Sequence, residues 1–294
     1  KAYLENISKI PTEVEYASEF RYRNPIVEPN TLVIAISQSG ETADTLSAVC
    51  EAKCRGAKTL GIINTVGSAI SRECDSGIFL RAGPEYGVAA TKSFTNQVVS
   101  LLLLAVSLAQ DRKISLPDNM IDSINTLPCL AKRVLECEKE IEKIAKHYSG
   151  NDNFLYIGRL LEYPIALEGA LKLKEISYVH AEGMPAAELK HGAIALVTED
   201  MPTVVVHNQL TILKKVIGNV QEIKARGGKI ISISNNDELL SMSDHFVKLP
   251  DEINDYICPI LSVIPLQLLA YHVAKIRGCN VDKPRNLAKC VTVE

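Results

Sequence analysis

No two cysteines in this sequence are spaced as CxxC, and no histidine stands at zinc-finger distance from them. Cys50, Cys54, Cys74, Cys129, Cys137, Cys258, Cys279 and Cys290 are scattered. That pattern offers neither a metal site nor a disulfide framework and implies a reduced, cytosolic compartment. There is no basic block and no aromatic-interleaved patch, and 32 Lys and Arg against 35 Asp and Glu leave a net charge of −3, which argues against a nucleic-acid partner. The longest apolar run, Val98 to Ala109, is broken by Ser100 and Ser107. It falls short of the roughly 20 residues of a bilayer span and reads as a buried helix, so no membrane association is expected. No charged-then-apolar leader opens the chain, and because residue 1 is lysine the sequence is expected to be a fragment of something longer. GxxxxGK[ST] and GxGxxG are both missing, which removes the nucleotide and dinucleotide loops, and no cofactor is expected.

What is present is length and repetition. The 294 residues suffice for two ordinary domains with cores of their own. Thr31 to Ile36 reads as a buried strand, followed by a polar turn, a helix through Cys50, the turn Arg55-Gly56-Ala57-Lys58 and a strand from Thr59 to Ile63. The series restarts at Met201 to Val206, with a helix near Leu213 to Lys224, the turn Arg226-Gly227-Gly228-Lys229 and a strand from Ile230 to Ile233. Each copy then reaches an aspartate, Asp75 or Asp244, before a third short strand. This spacing predicts right-handed crossovers and parallel sheets covered on both faces. A strand at Phe154 to Ile157 precedes the second copy, and the same offset in the first falls before Lys1. The expectation is therefore α/β: two doubly wound, flavodoxin-like lobes related by duplication, the first N-terminally truncated. The boundaries are placed at 1–130, 131–283 and a tail 284–294, with helices over 117–147 joining the lobes.

Ser37-Gln38-Ser39-Gly40-Glu41-Thr42 falls where the first strand gives way to a helix. Free N–H groups and the dipole at a helix start favour an anion, and Ser37, Ser39 and Thr42 can add hydroxyl donors. Gly40 would let the backbone approach closely. The plainer alternative is a Ser/Thr N-cap at a tight turn. At the matching place the second copy has His207-Asn208-Gln209-Leu210-Thr211, without the glycine.

Glu168, Lys172 and Glu175 recur at i, i+4 and i+7 between Pro164 and Tyr178 and so share a helix face. They form either an exposed ion-pair stripe or, because the rest of the helix is apolar, a charged face held in a cleft. The tail from Asp282 has no period and should run extended.

SQSGET after TLVIAI resembles the signature of the sugar isomerase (SIS) domain family. GVAATKSFTNQ, ALEGALKLKEISYVHAEGMPAAELKHG and PLQLLAYHVAKIRGCNVDKPRNLAKCVTVE resemble the isomerase halves of glutamine–fructose-6-phosphate aminotransferases. The resemblance implies that Ser37, Gln38, Ser39, Thr42 and Ala288 bind a hexose 6-phosphate, with Val88 and Ala90 contributing backbone. It implies that Glu175 moves the proton between C1 and C2, a task suited to a carboxylate whose pKa is lifted by burial. Lys172 would assist it, His191 would open the sugar ring in a neighbouring subunit's site, implying a homodimer, and Lys289 would attack the sugar carbonyl. Ala90 stands where many relatives have serine. The glutaminase of such enzymes is expected elsewhere in the natural chain. A plain ketose–aldose isomerase or amino-sugar deaminase, and a sugar-phosphate sensor, remain as alternatives.

Overall fold

The computed structural model describes residues 1–292. The chain packs as two compact units, one formed by Lys1–Leu116 with the tail from Asn286, the other by Pro117–Arg285. All eight cysteines are free thiols.

The first unit begins with α1 (Ala2–Asn6) and α2 (Ala17–Tyr22). It continues through β1 (Leu32–Ser37), α3 (Ala43–Cys54), β2 (Lys58–Ile63), α4 (Ala69–Glu73) and β3 (Ser76–Phe79) to α5 (Lys92–Asp111). The three strands pair in parallel in the order β1-β2-β3, and Ala35, Val49, Ile63 and Ile70 pack together beside them. β2 is central and buried from Thr59 to Ile63, as its uninterrupted apolar run predicts.

The second unit opens with α6 (Met120–Leu135) and α7 (Glu138–Tyr148). Then come β4 (Asn153–Gly158), α8 (Tyr163–Ser177), β5 (His180–Pro185), β6 (Thr203–Val206), α9 (Leu213–Lys224), β7 (Ile230–Ser234), α10 (Asp237–Ser241), β8 (His245–Lys248) and α11 (Cys258–Ile276). Its sheet is parallel throughout, in the order β5-β4-β6-β7-β8. α8 packs on β4, β5 and α11. That packing is tight at Gly169, where a Cβ would lie 2.7 Å from Leu266 Cδ1 and 3.0 Å from Tyr156.

The duplication is visible in a repeated hydrogen bond. Asp75 accepts the N–H of Thr59 at 2.8 Å, and Asp244 accepts that of Ile230 at 2.8 Å. Each aspartate thereby ties the start of the second strand to the loop before the third. β6, β7 and β8 match β1, β2 and β3, while β4 and β5 have no counterpart among the described residues of the first unit.

Three expectations are corrected. A lobe boundary at 130 falls inside α6, whose Leu127, Leu130 and Val134 are buried on one face that packs against α11, so the division lies at 116/117. The tail, expected as a separate segment from 284, belongs with the first unit from Asn286. The apolar run Val98–Ala109 lies within a 20-residue helix long and apolar enough to cross a membrane by length and composition, and only one side of it, including Leu102, Ala105, Val106 and Ala109, is buried. α11 meets the same length and composition test but is 72% buried.

Candidate active site

In the first unit the chain leaves β1 at Ser37 and enters α3 after Thr42, which stands at the N-cap without a side-chain cap bond. Ser37 Oγ accepts the Gly40 N–H at 3.0 Å and lies 3.3 Å from Thr42 Oγ1. Ser39 Oγ accepts the Glu41 N–H at 3.1 Å. A hydroxyl has one donor and two acceptor positions, so these turn bonds leave the O–H of Ser39 to donate outward. Gln38 is half-buried in the same turn. Gly40 has φ +69°, and a Cβ there would meet Ser68 Oγ at 2.0 Å. The close approach it permits is therefore to Ser68 at the start of α4.

The tail closes on this turn. Lys289 Nζ donates to the Gly87 carbonyl at 2.6 Å and lies 3.4 Å from that of Val88. Cys290 Sγ sits 3.2 Å from Ser39 Oγ, and the Val291 carbonyl accepts the Ala43 N–H at 3.2 Å, the first amide of α3. Ala288 is exposed beside Lys289. The loop that receives the lysine is itself anchored: Glu85 accepts the Ser93 N–H at 3.0 Å, the Ser93 hydroxyl, and the Thr91 hydroxyl at 3.2 Å. Burial pushes the Glu85 carboxyl up, but these hydrogen bonds outweigh it and hold the group below the usual range. The backbone of Val88 thus faces Lys289. Ala90 is half-buried in the same loop.

In the second unit α8 carries the charged face. Lys172 Nζ lies 2.6 Å from Glu175 Oε2 and 3.4 Å from Glu168 Oε1, and the side chains of Lys172, Glu168 and Glu175 are 6%, 10% and 23% exposed. An exposed surface stripe is excluded. The carboxylate lifted here is Glu168, which burial pushes up to about 7 against the opposing pull of Lys172, with Glu175 adding to the rise. Glu175 has the most exposed side chain of the three and a direct ammonium partner. An accessible carboxylate beside a buried ammonium can take a proton while the lysine stabilises the charge. His191 ends a short 3-10 turn, Ala186–His191, and is exposed; its neighbour Lys190 pairs with Glu222 of α9 at 2.6 Å.

Gly87 and Glu85 escaped the sequence reading. A carbonyl acceptor leaves no side-chain signature, whereas Glu85 could have been sought as an acidic residue just ahead of the long helix α5.

Residues 1–107 and 147–277 match the SIS domain family. The chain belongs to the SIS domain family. This SIS chain is 50% identical over 300 residues to the glutamine–fructose-6-phosphate aminotransferase (isomerizing) of Bacteroides thetaiotaomicron, covering 100% of this chain and 48% of that protein. A solved structure, the C-terminal domain of glucosamine-fructose-6-phosphate aminotransferase from Francisella tularensis, superposes with a TM-score of 0.91 at 42% identity, over 97% of this chain and 81% of that one. A glucosamine-6-phosphate deaminase from Thermotoga maritima superposes at 0.80 with 25% identity, over 99% and 84%. The SIS chain spans about half the length of the curated relatives it matches.

Proposed function

We propose that this chain is the isomerase part of a glutamine–fructose-6-phosphate aminotransferase, making glucosamine 6-phosphate from fructose 6-phosphate and ammonia. The reading is carried by one observation: Lys289, on a tail without regular structure, is brought to the Ser37–Thr42 turn and held on the Gly87 and Val88 carbonyls. A plain sugar-phosphate sensor has no use for an amine at its anion cradle. In this reading Ser37, Gln38, Ser39 and Thr42 take the phosphate, with Ala288, Val88 and Ala90 lining the sugar. Lys289 adds to the C2 carbonyl of the opened sugar and expels water to form an imine. Ammonia displaces the lysine, giving the C2 imine of the sugar. Glu175, paired with Lys172, then carries a proton from C1 to C2 while the C1 hydroxyl proton passes to the imine nitrogen, leaving the C2 amine and the C1 aldehyde.

His191 opens the ring, and by resemblance it does so in a second copy of the chain, so the active form is a homodimer in the cytoplasm. The ammonia comes from a glutaminase domain in the natural chain. The experiment is incubation of the purified chain with fructose 6-phosphate and an ammonium salt, with glucosamine 6-phosphate read by mass spectrometry. Conversion of fructose 6-phosphate to glucose 6-phosphate alone would favour a plain isomerase. No product and no sugar-phosphate binding would overturn the reading.

A further inference from the structure

Just before α8, at the end of the loop from β4, stands a carboxylate that the reaction above does not use. Glu162 is fully buried. Its Oε1 accepts Asn208 Nδ2 at 2.8 Å and Ser262 Oγ at 3.0 Å, and Asn208 Nδ2 also lies 3.0 Å from Ser262 Oγ. Asn208 Oδ1 in turn accepts the Asn235 N–H at 2.9 Å. Asn208 follows β6, Asn235 follows β7 and Ser262 belongs to α11, so three elements converge on the residue from which α8 starts.

We propose that Glu162 is a positioning residue: it fixes the start of α8, and with it the Glu168–Lys172–Glu175 face, against β6 and α11. Four observations carry this. The backbone is clamped at the same point, since a Cβ on Gly158 would lie 2.4 Å from the Glu162 carbonyl oxygen. α8 is a regular helix from Tyr163 to Ser177, so a shift at its first turn is carried along a stiff rod to Glu175. A carboxylate is a poor choice if only core stability were needed, because burying one costs more than an apolar side chain of the same size, and Glu162 Oε2 finds no protein partner.

The fourth observation comes from the duplication. Thr59 and Ile230 are matched by their aspartate bonds. Ser37 pairs with Ile63, four residues beyond Thr59, and Val206 pairs with Ile233, three beyond Ile230. His207 therefore corresponds to Ser37, and Asn208 to Gln38. The segment that forms the anion cradle in the first unit here holds the chain's own carboxylate. That explains why the second unit has no free cradle: the place is taken by the chain's own carboxyl group, which belongs to the loop that launches α8.

The inference rests on the proposed reaction for its kinetic test, and a second readout is independent of that reaction. On the full chain, Glu162→Gln keeps an oxygen for Asn208 and Ser262, so kcat stays near wild type. Glu162→Ala lowers kcat by about tenfold or more while KM for fructose 6-phosphate hardly moves, because the phosphate cradle is elsewhere. Should that variant fail to fold, Ser262→Ala removes a single donor and lowers kcat with the same split. Hydrogen–deuterium exchange of the peptide over 160–178 should be faster in the alanine variants than in wild type and unchanged in the glutamine variant. Wild-type kcat in Glu162→Ala, or Glu162→Gln failing as badly as Glu162→Ala, would overturn the proposal. Absence of turnover in the wild-type chain would sink the reaction but leave the exchange comparison to decide the role of Glu162.

Discussion

Lys289 Nζ donates to the main-chain carbonyl of Gly87 at 2.6 Å, two residues after a half-buried Glu85 that pins the same loop to the start of α5. The tail is thereby seated without a helix or strand of its own: a lysine on carbonyls, a thiol on Ser39 and a carbonyl on the first amide of α3. Contacts of this kind hold a side chain in place yet exchange readily, which suits the proposed turn of this amine toward a sugar carbon.

Lys289 is therefore expected to be trapped by borohydride in the presence of fructose 6-phosphate. Reduction of its imine fixes a hexitol phosphate on the C-terminal peptide. Lys289→Arg should abolish the label, because a guanidinium stays protonated. Mass spectrometry reads the outcome, and an adduct on Lys172 instead would remove the first covalent step.

Ser39→Ala should weaken fructose 6-phosphate binding by roughly 1.5–3 kcal/mol, the worth of a hydrogen bond to a charged group. The fold should survive, since the change removes only the bond to the Glu41 N–H and the contact with Cys290. Calorimetric titration beside a melting curve separates the two effects. Unchanged affinity would move the phosphate away from this turn.

Glu175→Gln should bind the sugar phosphate almost normally and lose exchange of the C1 hydrogen with solvent, because an amide cannot take the proton. The exchange is followed by NMR in heavy water. Glu168→Gln is the informative partner: the lifted carboxyl spends much of its time protonated near neutral pH, so the amide should leave a large part of the exchange rate. Equal loss in both variants would assign the proton transfer to the pair instead of to Glu175.

Much of this was legible in the sequence because burial writes itself as composition. The runs TLVIAI, TLGII, FLYI and VVV emerged as parallel strands within a residue or two of their expected ends. Asp75 and Asp244, read only as a recurring landmark, make the same bond in both units. The boundary at 130 failed because the apolar face of α6 is continuous through it, and periodicity does not say which neighbour a helix packs on. Val98–Ala109 misled for the related reason that a run apolar on every side does not reveal which side faces its own core. Lifted Glu168 and buried Glu162 depend on desolvation by residues distant in the chain, such as Ser262, which no local pattern records.

The last expectation concerns pH and stability. Burial pushes the Glu162 carboxyl up to about 7 from an ordinary value of 4.5, more than the bonds from Asn208 and Ser262 pull it back, and Asp255 adds to the rise. The folded chain therefore keeps this proton at pH values where the unfolded chain has lost it. Between those two values the folded state binds more protons, so stability falls as pH rises through the window and stops falling above the folded value. A shift of that size corresponds to at most about 3 kcal/mol. His207, whose pKa burial lowers to about 4, contributes with the opposite sign, but equally in wild type and in a Glu162 variant. The clean measurement is thus a difference: urea midpoints of wild type and Glu162→Gln taken side by side from about pH 5 to about pH 8. The two should lie closest at the acid end, with the glutamine variant gaining on wild type up to about pH 7 and the gap levelling off above it. Parallel curves would mean that Glu162 keeps its ordinary titration in the folded chain, and that water reaches the carboxylate among Asn208, Ser262 and the start of α8.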